Sequence, residues 1–455
     1  MIDEHDSRVE AIREAALRPL VRTTWRFWAL AGALAVLSSW ALTAYIVQLI
    51  YGMGVAGYSD KGFWGIYEAN LVAFIAVSYG GALVSAILRL TQARWRAPIT
   101  RLAEGMALFS LLVGMIFAIV HLGRPDRVWR MVVTPQFSSP IFWDLVVICT
   151  YLVATAIFLY LPLIPDVALL RDRTASGWRL GLYRALAVRW QGLERQRHLL
   201  ERGTMAVAIV IIPLAVLVHS VLSWAFALTG RPGWNSTIFA PYFVVGALYS
   251  GIAMVILVVA GFRKAYHLEH FIKIEHFRNL GYLMLTLNLV YLYFTATELL
   301  TEGYVQSEEA VSVIESLTIG QYAAYFWFFN VVGGLVPFLL LAIPRTRTVP
   351  GIVVASALIV FGMWLKRMLI VVPAVAHPLI GTGQWGALQI TWVAAGITVG
   401  AAAAIPLLLM IFFKLFPILS IFEMEELWTE EPGQAEIRDE DLPRVLVAAR
   451  EGGAG

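Results

Sequence analysis

Long apolar stretches recur along the whole chain and are separated by shorter polar segments. A helix that crosses a bilayer core of about 30 Å needs about 20 residues, most of them apolar. Stretches of this kind occur at 27–50, 64–88, 102–120, 141–164, 205–228, 239–260, 280–301, 320–343, 350–375 and 388–413. The pattern therefore predicts an all-α integral membrane protein with about ten transmembrane helices, here called the first to tenth spans.

The composition agrees with this prediction. Hydrophobic residues make up 59% of the chain and charged residues 14%, and the mean hydropathy is +0.74. A water-soluble domain could not carry so few charges over its surface. The first 24 residues hold four arginines and no apolar core, so they do not read as a secretory signal peptide. We predict an N-terminal tail over 1–24, a transmembrane domain over 25–416 and a C-terminal tail over 417–455.

Basic residues outside the spans divide unequally between the two sets of alternate loops. One set, which includes the N-terminal tail and the 166–203 loop, holds 22 lysines and arginines, and the opposite set holds five. The positive-inside rule then predicts that both termini are cytoplasmic in a bacterial inner membrane. Because the basic residues follow loop parity and form no single patch, they do not indicate nucleic-acid binding.

The ligands needed for resident electron carriers are scarce. Cys149 is the one cysteine, which excludes a cysteine-ligated iron–sulfur cluster and a covalently attached haem in this chain. Histidines within or at the ends of the spans reduce to His121 and His219, which are enough to ligate one haem but not two. His267 and His270 share a helical face, but they lie in a basic loop, where an interfacial helix is a better interpretation than a metal site.

An imidazole and a carboxylate are predicted to meet near the outer membrane face. His121 ends the third span and Asp144 lies one turn into the fourth, and the short connection makes these spans antiparallel neighbours. A neighbouring carboxylate orients an imidazole and strengthens it as a base, which suits proton removal from a weakly acidic hydroxyl. The alternative is a purely structural pair at the interface.

Ionisable and polar residues inside the other spans are further candidates, because each is costly in hydrocarbon. His219 and Ser223 lie deeper, on one face of the fifth span, and indicate either a polar pocket or a satisfied structural histidine. A polar stripe in the seventh span and isolated charges in two other spans predict a proton path facing the bundle interior, with ion pairing as the alternative. The path candidates are Glu68, Asn288, Tyr291, Glu298, Lys366 and Arg367.

Two stretches carry a resemblance to a known family. They are HLGRPDRVWRMVVTPQFSSPIFWD at 121–144 and VHSVLSWAFALTGRPGWNSTIFAPYFVVGALYSG at 218–251. Both resemble the NrfD/PsrC family of membrane subunits, and within it the ActC-type subunits of bacterial alternative complex III, with the ActF type a weaker match. One departure concerns Ala225, where related sequences often carry an acidic residue.

The resemblance implies two four-helix bundles with extra peripheral helices, no haem in this subunit and a quinone site near the outer face. It places His121 and Asp144 at that site as catalytic residues. Menaquinol is the expected substrate, and the implied partners are an iron–sulfur subunit on the outer face, other membrane subunits and cytochrome c subunits. The residues expected to bind the quinone are His121, Arg124, Trp143, Asp144, His219 and Ser223.

Three functions are compatible with these features. The first is quinol oxidation, in which electrons pass to the iron–sulfur partner and protons are released outward, with or without coupled proton translocation. The second is an ActF-like proton-conducting or transporter-like subunit without a quinone site. The third is quinone reduction in a polysulfide-reductase-type complex, because the residues of a site do not fix the direction of electron flow.

Overall fold

Ten helices in the computed structural model are long and apolar enough to cross a membrane. The structure describes residues 2–21, 23–60, 62–234, 236–378, 383–386 and 389–429, and within these ranges it contains no β-strand beyond one isolated bridge. The predicted all-α membrane fold is therefore confirmed. The spans are α1 (Trp25–Tyr51), α2 (Ile66–Leu90), α3 (Ala97–Val120), α4 (Pro140–Tyr160), α5 (Glu194–Ala227), α6 (Phe239–Tyr266), α7 (Ile274–Val305), α8 (Ala323–Ala342), α9 (Val349–Ala376) and α10 (Trp392–Phe412).

Local sequence explains where several spans begin. Thr24, Thr348 and Thr391 precede α1, α9 and α10, and each hydroxyl accepts a hydrogen bond from a backbone N–H three residues later. Such caps satisfy donors that have no partner in the first helical turn. Pro140 opens α4, where its missing N–H costs nothing.

The spans form two four-helix bundles. Helices α2 to α5 contact one another around the first bundle, and α6 to α9 do so around the second. Helices α1 and α10 pack together and against α2 and α3 at the periphery. The resemblance implied this arrangement. The most enclosed span is α2, whereas α1 is exposed along most of its length.

The two bundles meet where α2 crosses α6. Gly80 and Gly251 face each other at this crossing, and a methyl group on either residue would overlap the backbone of the other. Only glycine permits such an approach of two helix backbones. In the second bundle, α8 contains a π-helical segment, Phe329–Leu335, whose Gly334 carbonyl accepts a hydrogen bond from Asn288.

Both predicted tails contain helices that pack onto the membrane domain. Helix Ile2–Val21 contacts helix Ile421–Thr429, and the Arg13 guanidinium lies 2.6 Å from the Glu425 carboxylate. Ile418 and Leu419 are completely buried. The packed structure thus extends to residue 429, beyond the predicted boundary at 416, and residues 430–455 of the predicted tail lie outside the described part.

Buried ion pairs hold this C-terminal segment in place. Arg89 of α2 contacts Glu423 at 2.6 Å, and Arg101 of α3 contacts Asp166 at 3.0 Å. Asp166 also accepts hydrogen bonds from the backbone N–H groups of Ile421 and Phe422. Burial disfavours a charged Glu423, but the charges of Arg89, Arg96 and Arg101 and the hydrogen bond from Arg89 together outweigh it and lower the pKa of this carboxyl.

Candidate functional site

His121 lies at the C-terminal end of α3, at the predicted outer end of the first bundle. Its Nδ1 is 3.0 Å from the Phe117 carbonyl oxygen, one helical turn earlier. Because a carbonyl only accepts, we assign the proton of the neutral ring to Nδ1. The Nε2 lone pair of the half-buried ring is then available to accept a proton from a ligand.

A second carboxylate near this end is Glu68. It is buried in the first turn of α2 and within electrostatic range of His121, without a hydrogen bond or ion pair between them in the described ranges. One carboxylate oxygen accepts hydrogen bonds from the Tyr58 hydroxyl at 3.0 Å and from the Gly65 N–H at 2.7 Å. The other oxygen is buried and has no hydrogen-bond partner in the described protein.

The structure shows no direct contact for the predicted pair of His121 and Asp144, so their joint role stays a prediction. No hydrogen bond or ion pair joins the two residues in the described ranges, and Asp144 Oδ1 is buried without a partner near the start of α4. Helix α3 has its most extensive contact with α2. The end of α3 therefore brings His121 close to Glu68, a residue that its sequence position alone had suggested for a proton path.

Sequence reasoning missed the hydrogen-bonded residues that support this site. The Tyr67 hydroxyl donates to Gln48 Oε1 at 2.6 Å, and Gln48 Nε2 donates to the Val120 carbonyl at 2.9 Å, next to His121. Burial, together with the charge of Glu68, raises the pKa of Tyr58 well above its usual range, so Tyr58 is a neutral donor. Gln48, an isolated amide in the apolar first span, was the available signal.

Two of the predicted quinone-binding residues lie at the surface of the same end. The Arg124 guanidinium forms a solvent-exposed ion pair with Asp126 at 3.0 Å. Trp143 is 46% exposed, and its indole N–H donates to the Phe137 carbonyl at 2.9 Å. An exposed aromatic face next to Asp144 suits contact with a flat ring or with a partner protein.

His219 and Ser223 are completely buried, whereas Arg124 and Trp143 lie at the surface. The His219 ring packs edge-on against Tyr79, with 4.5 Å between ring centroids, and Ser223 Oγ donates to the Ser220 carbonyl at 2.8 Å. His219 borders a small cavity between the two bundles, together with Arg367. The structure thus places His219 at the bundle junction.

The polar stripe of α7 faces the interior of the second bundle, as predicted. Asn288 and Tyr291 are buried, and Asn288 donates to the Tyr249 hydroxyl and to the Gly334 carbonyl. Lys366 Nζ lies 3.3 Å from Glu298, which is the ion pairing held open as an alternative. Participation of these residues in a proton path stays a prediction.

Other polar groups inside the first bundle were not singled out from the sequence. The hydroxyls of Ser78, Tyr79, Tyr151 and Thr155 are buried without a well-formed hydrogen bond in the described protein. Buried hydroxyls normally have partners, and internal water is the usual one where protein supplies none. Their signal in the sequence was only a hydroxyl within an apolar run.

The hydrogen-bond acceptors at the outer end fit a quinol. A quinol hydroxyl needs an acceptor, and His121 Nε2 and the unpartnered Asp144 Oδ1 are two acceptors at the same end of the bundle. In the described ranges, no group of three or more metal-binding side chains occurs.

The fold and this site together define a multi-pass membrane protein with proton-accepting groups at one end of a pair of four-helix bundles. The family model described as "Polysulphide reductase, NrfD" matches residues 54–378. The chain therefore belongs to the NrfD family.

Three curated relatives are similar over most of their length. The membrane subunit of a putative dimethyl sulfoxide reductase of Halobacterium salinarum is 30% identical, covering 89% of this chain and 94% of the relative. A selenate reductase subunit of Mesobacillus selenatarsenatis is 24% identical, covering 73% and 78%. The Hdr-like menaquinol oxidoreductase integral membrane subunit of Archaeoglobus fulgidus is 22% identical, covering 78% and 80%.

Proposed function

We propose that this chain is the quinol-binding and quinol-oxidising membrane subunit of an electron-transfer complex of the alternative complex III type. One observation carries the proposal: the second ring nitrogen of His121 lies within electrostatic range of the buried carboxylate of Glu68, at the end of the bundle where Asp144 Oδ1 has no partner in the described protein. The relative named as a menaquinol oxidoreductase subunit supports menaquinol as the substrate.

The residues divide the proton chemistry between them. A bound quinol supplies two electrons and two protons. His121 Nε2 accepts one proton, and the negative charge of Glu68 stabilises the imidazolium that results. Asp144 accepts the second proton, while Trp143 and Arg124 border the mouth. His219 and Ser223 bound the site on its deeper side. Acceptance near the outer face releases both protons outward.

The electrons leave through other subunits. The single cysteine, Cys149, cannot ligate an iron–sulfur cluster by itself. We assign electron transfer to an iron–sulfur subunit on the outer face and, beyond it, to cytochrome c subunits. Proton translocation would use Asn288, Tyr291, Glu298 and Lys366 of the second bundle, with Arg367 as a fixed charge beside them. The burial of the α7 stripe and the Lys366–Glu298 contact support this path.

Two substitutions in the intact complex test the site. His121→Phe removes the base and Asp144→Asn removes the second acceptor, and each is expected to lower quinol-dependent electron transfer at least about 100-fold, the usual range for lost acid–base catalysis. Cys149→Ser, at an exposed position in α4, is the matched control and should retain activity. Wild-type turnover in both assembled variants would contradict the assignment.

A second candidate is the reverse reaction, quinone reduction, because two relatives are named as dimethyl sulfoxide and selenate reductase subunits. The same residues would then donate protons to the quinone. Measuring the purified complex in both directions, with a quinol and with a reduced partner as electron donor, separates the two functions.

A further inference from the structure

A buried positive charge lies near the middle of α9. Arg367 is 6% exposed, and its guanidinium donates to the Met363 carbonyl at 2.8 Å and to Ser250 Oγ at 3.0 Å. Both partners are neutral. No carboxylate in the described ranges forms an ion pair with Arg367, whereas the adjacent Lys366 has Glu298. The hydrogen bonds therefore hold the guanidinium in place but do not neutralise its charge.

A small cavity adjoins this charge at the junction of the two bundles. Its volume is about 20 Å³, enough for one water molecule or one halide ion. Arg367, His219, Tyr242 and Tyr291 border it, together with apolar side chains. Neither ring nitrogen of His219 makes a well-formed hydrogen bond. The Ala215 carbonyl, one turn earlier, is the backbone acceptor beside the ring, and it is poorly aligned.

The charge decides between the two occupants. An uncompensated cation inside a membrane protein is costly, and water reduces that cost only in part. A monovalent anion would cancel the charge of Arg367 and accept the N–H of a neutral His219. We propose that this cavity is a binding site for one halide-sized anion, chloride under physiological conditions, with Arg367 as its counter-ion.

The anion site shares His219 with the proposed quinone site and Tyr291 with the proposed proton path, but anion binding itself involves no electron or proton transfer, so its test measures stability and not turnover. The test is the thermal unfolding midpoint of the purified intact complex in potassium chloride, bromide or gluconate at equal ionic strength. Chloride and bromide should raise the midpoint by a few degrees in a saturable way, and gluconate should not, because it is too large for the cavity.

Two variants identify the residue responsible. Arg367→Gln should abolish the halide dependence, yet in gluconate it should be at least as stable as the wild type, because a neutral amide needs no counter-ion. Arg184→Gln, at an exposed arginine outside the spans, should keep the halide dependence. Equal wild-type midpoints in all three salts would overturn the proposal, and so would an Arg367→Gln variant that is destabilised equally in every salt.

Bromide bound to the wild-type complex gives a second measurement that needs no variant. Anomalous diffraction should show a bromide peak within hydrogen-bonding distance of the Arg367 guanidinium. If Arg367→Gln fails to assemble, this peak alone decides. Its absence from crystals grown in bromide would refute the site.

Discussion

At the scale of single residues, His121 is held from two sides. The Phe117 carbonyl fixes one ring nitrogen, and Glu68 supplies negative charge from the neighbouring helix. Tyr58 and the Gly65 N–H fix one oxygen of Glu68 in turn. When the orientation of a base and the charge near it are set before the substrate binds, proton transfer requires little free energy for rearrangement.

Glu68→Gln tests this electrostatic role. The amide keeps the shape of the side chain but removes the negative charge that stabilises the imidazolium. We expect quinol-dependent kcat to fall about 10-fold, which corresponds to about 1.4 kcal/mol, with assembly intact. Steady-state kinetics of the purified complex measure the change. Glu275→Gln, in the first turn of α7, is a control that should behave like the wild type, and an unchanged kcat in Glu68→Gln would remove Glu68 from the site.

The sequence singled out His121 as a base, but it did not indicate that Glu68 lies near it. His121 and Asp144 stood out because they flank one short connection, and chain proximity suggested contact between them. Glu68 lies more than 50 residues before His121, and only the packing of α2 against α3 brings them together. The position of His219 within its span showed that it lies deep in the membrane. Its place at the bundle junction depends on how the helices cross, which the spacing of residues along the chain does not encode.

At the scale of elements, the C-terminal helix Ile421–Thr429 closes one end of the first bundle. Glu423 reaches Arg89 inside α2, and Asp166 anchors the start of the helix through backbone N–H groups. The sequence offered no sign of this, because the segment EMEELWTEE reads as an acidic tail when its buried basic partners are unknown. The contact of this helix with α2 and α3 can be recognised only when the packing of those two spans is known.

Glu423→Gln should destabilise the protein, because it leaves Arg89 with only the more distant Glu104 at 3.7 Å. Breaking a buried ion pair costs about 3–5 kcal/mol. The matched control is Glu425→Gln, whose partner Arg13 is partly exposed, so that its cost should be at most about 1 kcal/mol. Thermal unfolding midpoints of the two variants and the wild type measure the difference. Equal midpoints would contradict the stabilising role of the contact between Glu423 and Arg89.

The same contact predicts a direction for the pH dependence. Since the Glu423 pKa is lowered in the folded protein, its contribution is complete above the ordinary carboxyl value of 4.5. That contribution is lost as the pH falls through the lowered value. Glu423→Gln should therefore lack part of the acid destabilisation that the wild type shows.

At the scale of the whole molecule, ten spans follow from hydrophobic run length alone, and the structure confirms them. Most of their boundaries differ by a few residues from the apolar runs, and α5 begins at Glu194, well before its run at 205. Threonine caps set the first turns of α1, α9 and α10, and Pro140 that of α4. The unequal distribution of basic residues also gives a predicted orientation. Bundle assembly, by contrast, rests on small-residue crossings such as Gly80 with Gly251, for which run length carries no information.

The predicted orientation is open to direct labelling. In a Cys149→Ser background, a cysteine replacing Arg184 lies on the exposed helix Trp178–Leu186. We expect a membrane-impermeant maleimide to label it in inverted vesicles and not in intact cells. A cysteine replacing Arg124, on the opposite side, should show the reverse pattern. Labelling of residue 184 from outside the cell would invert the topology.

The crossing of Gly80 with Gly251 has a mechanical consequence. Where two helices touch backbone to backbone, their separation is fixed. Small rotations of one helix against the other about this point are still allowed. Glu68 lies 12 residues along α2 from this point, a lever of about 18 Å. A tilt of a few degrees between the bundles would thus leave the crossing point unmoved and displace Glu68, together with His121, by about an ångström relative to the second bundle.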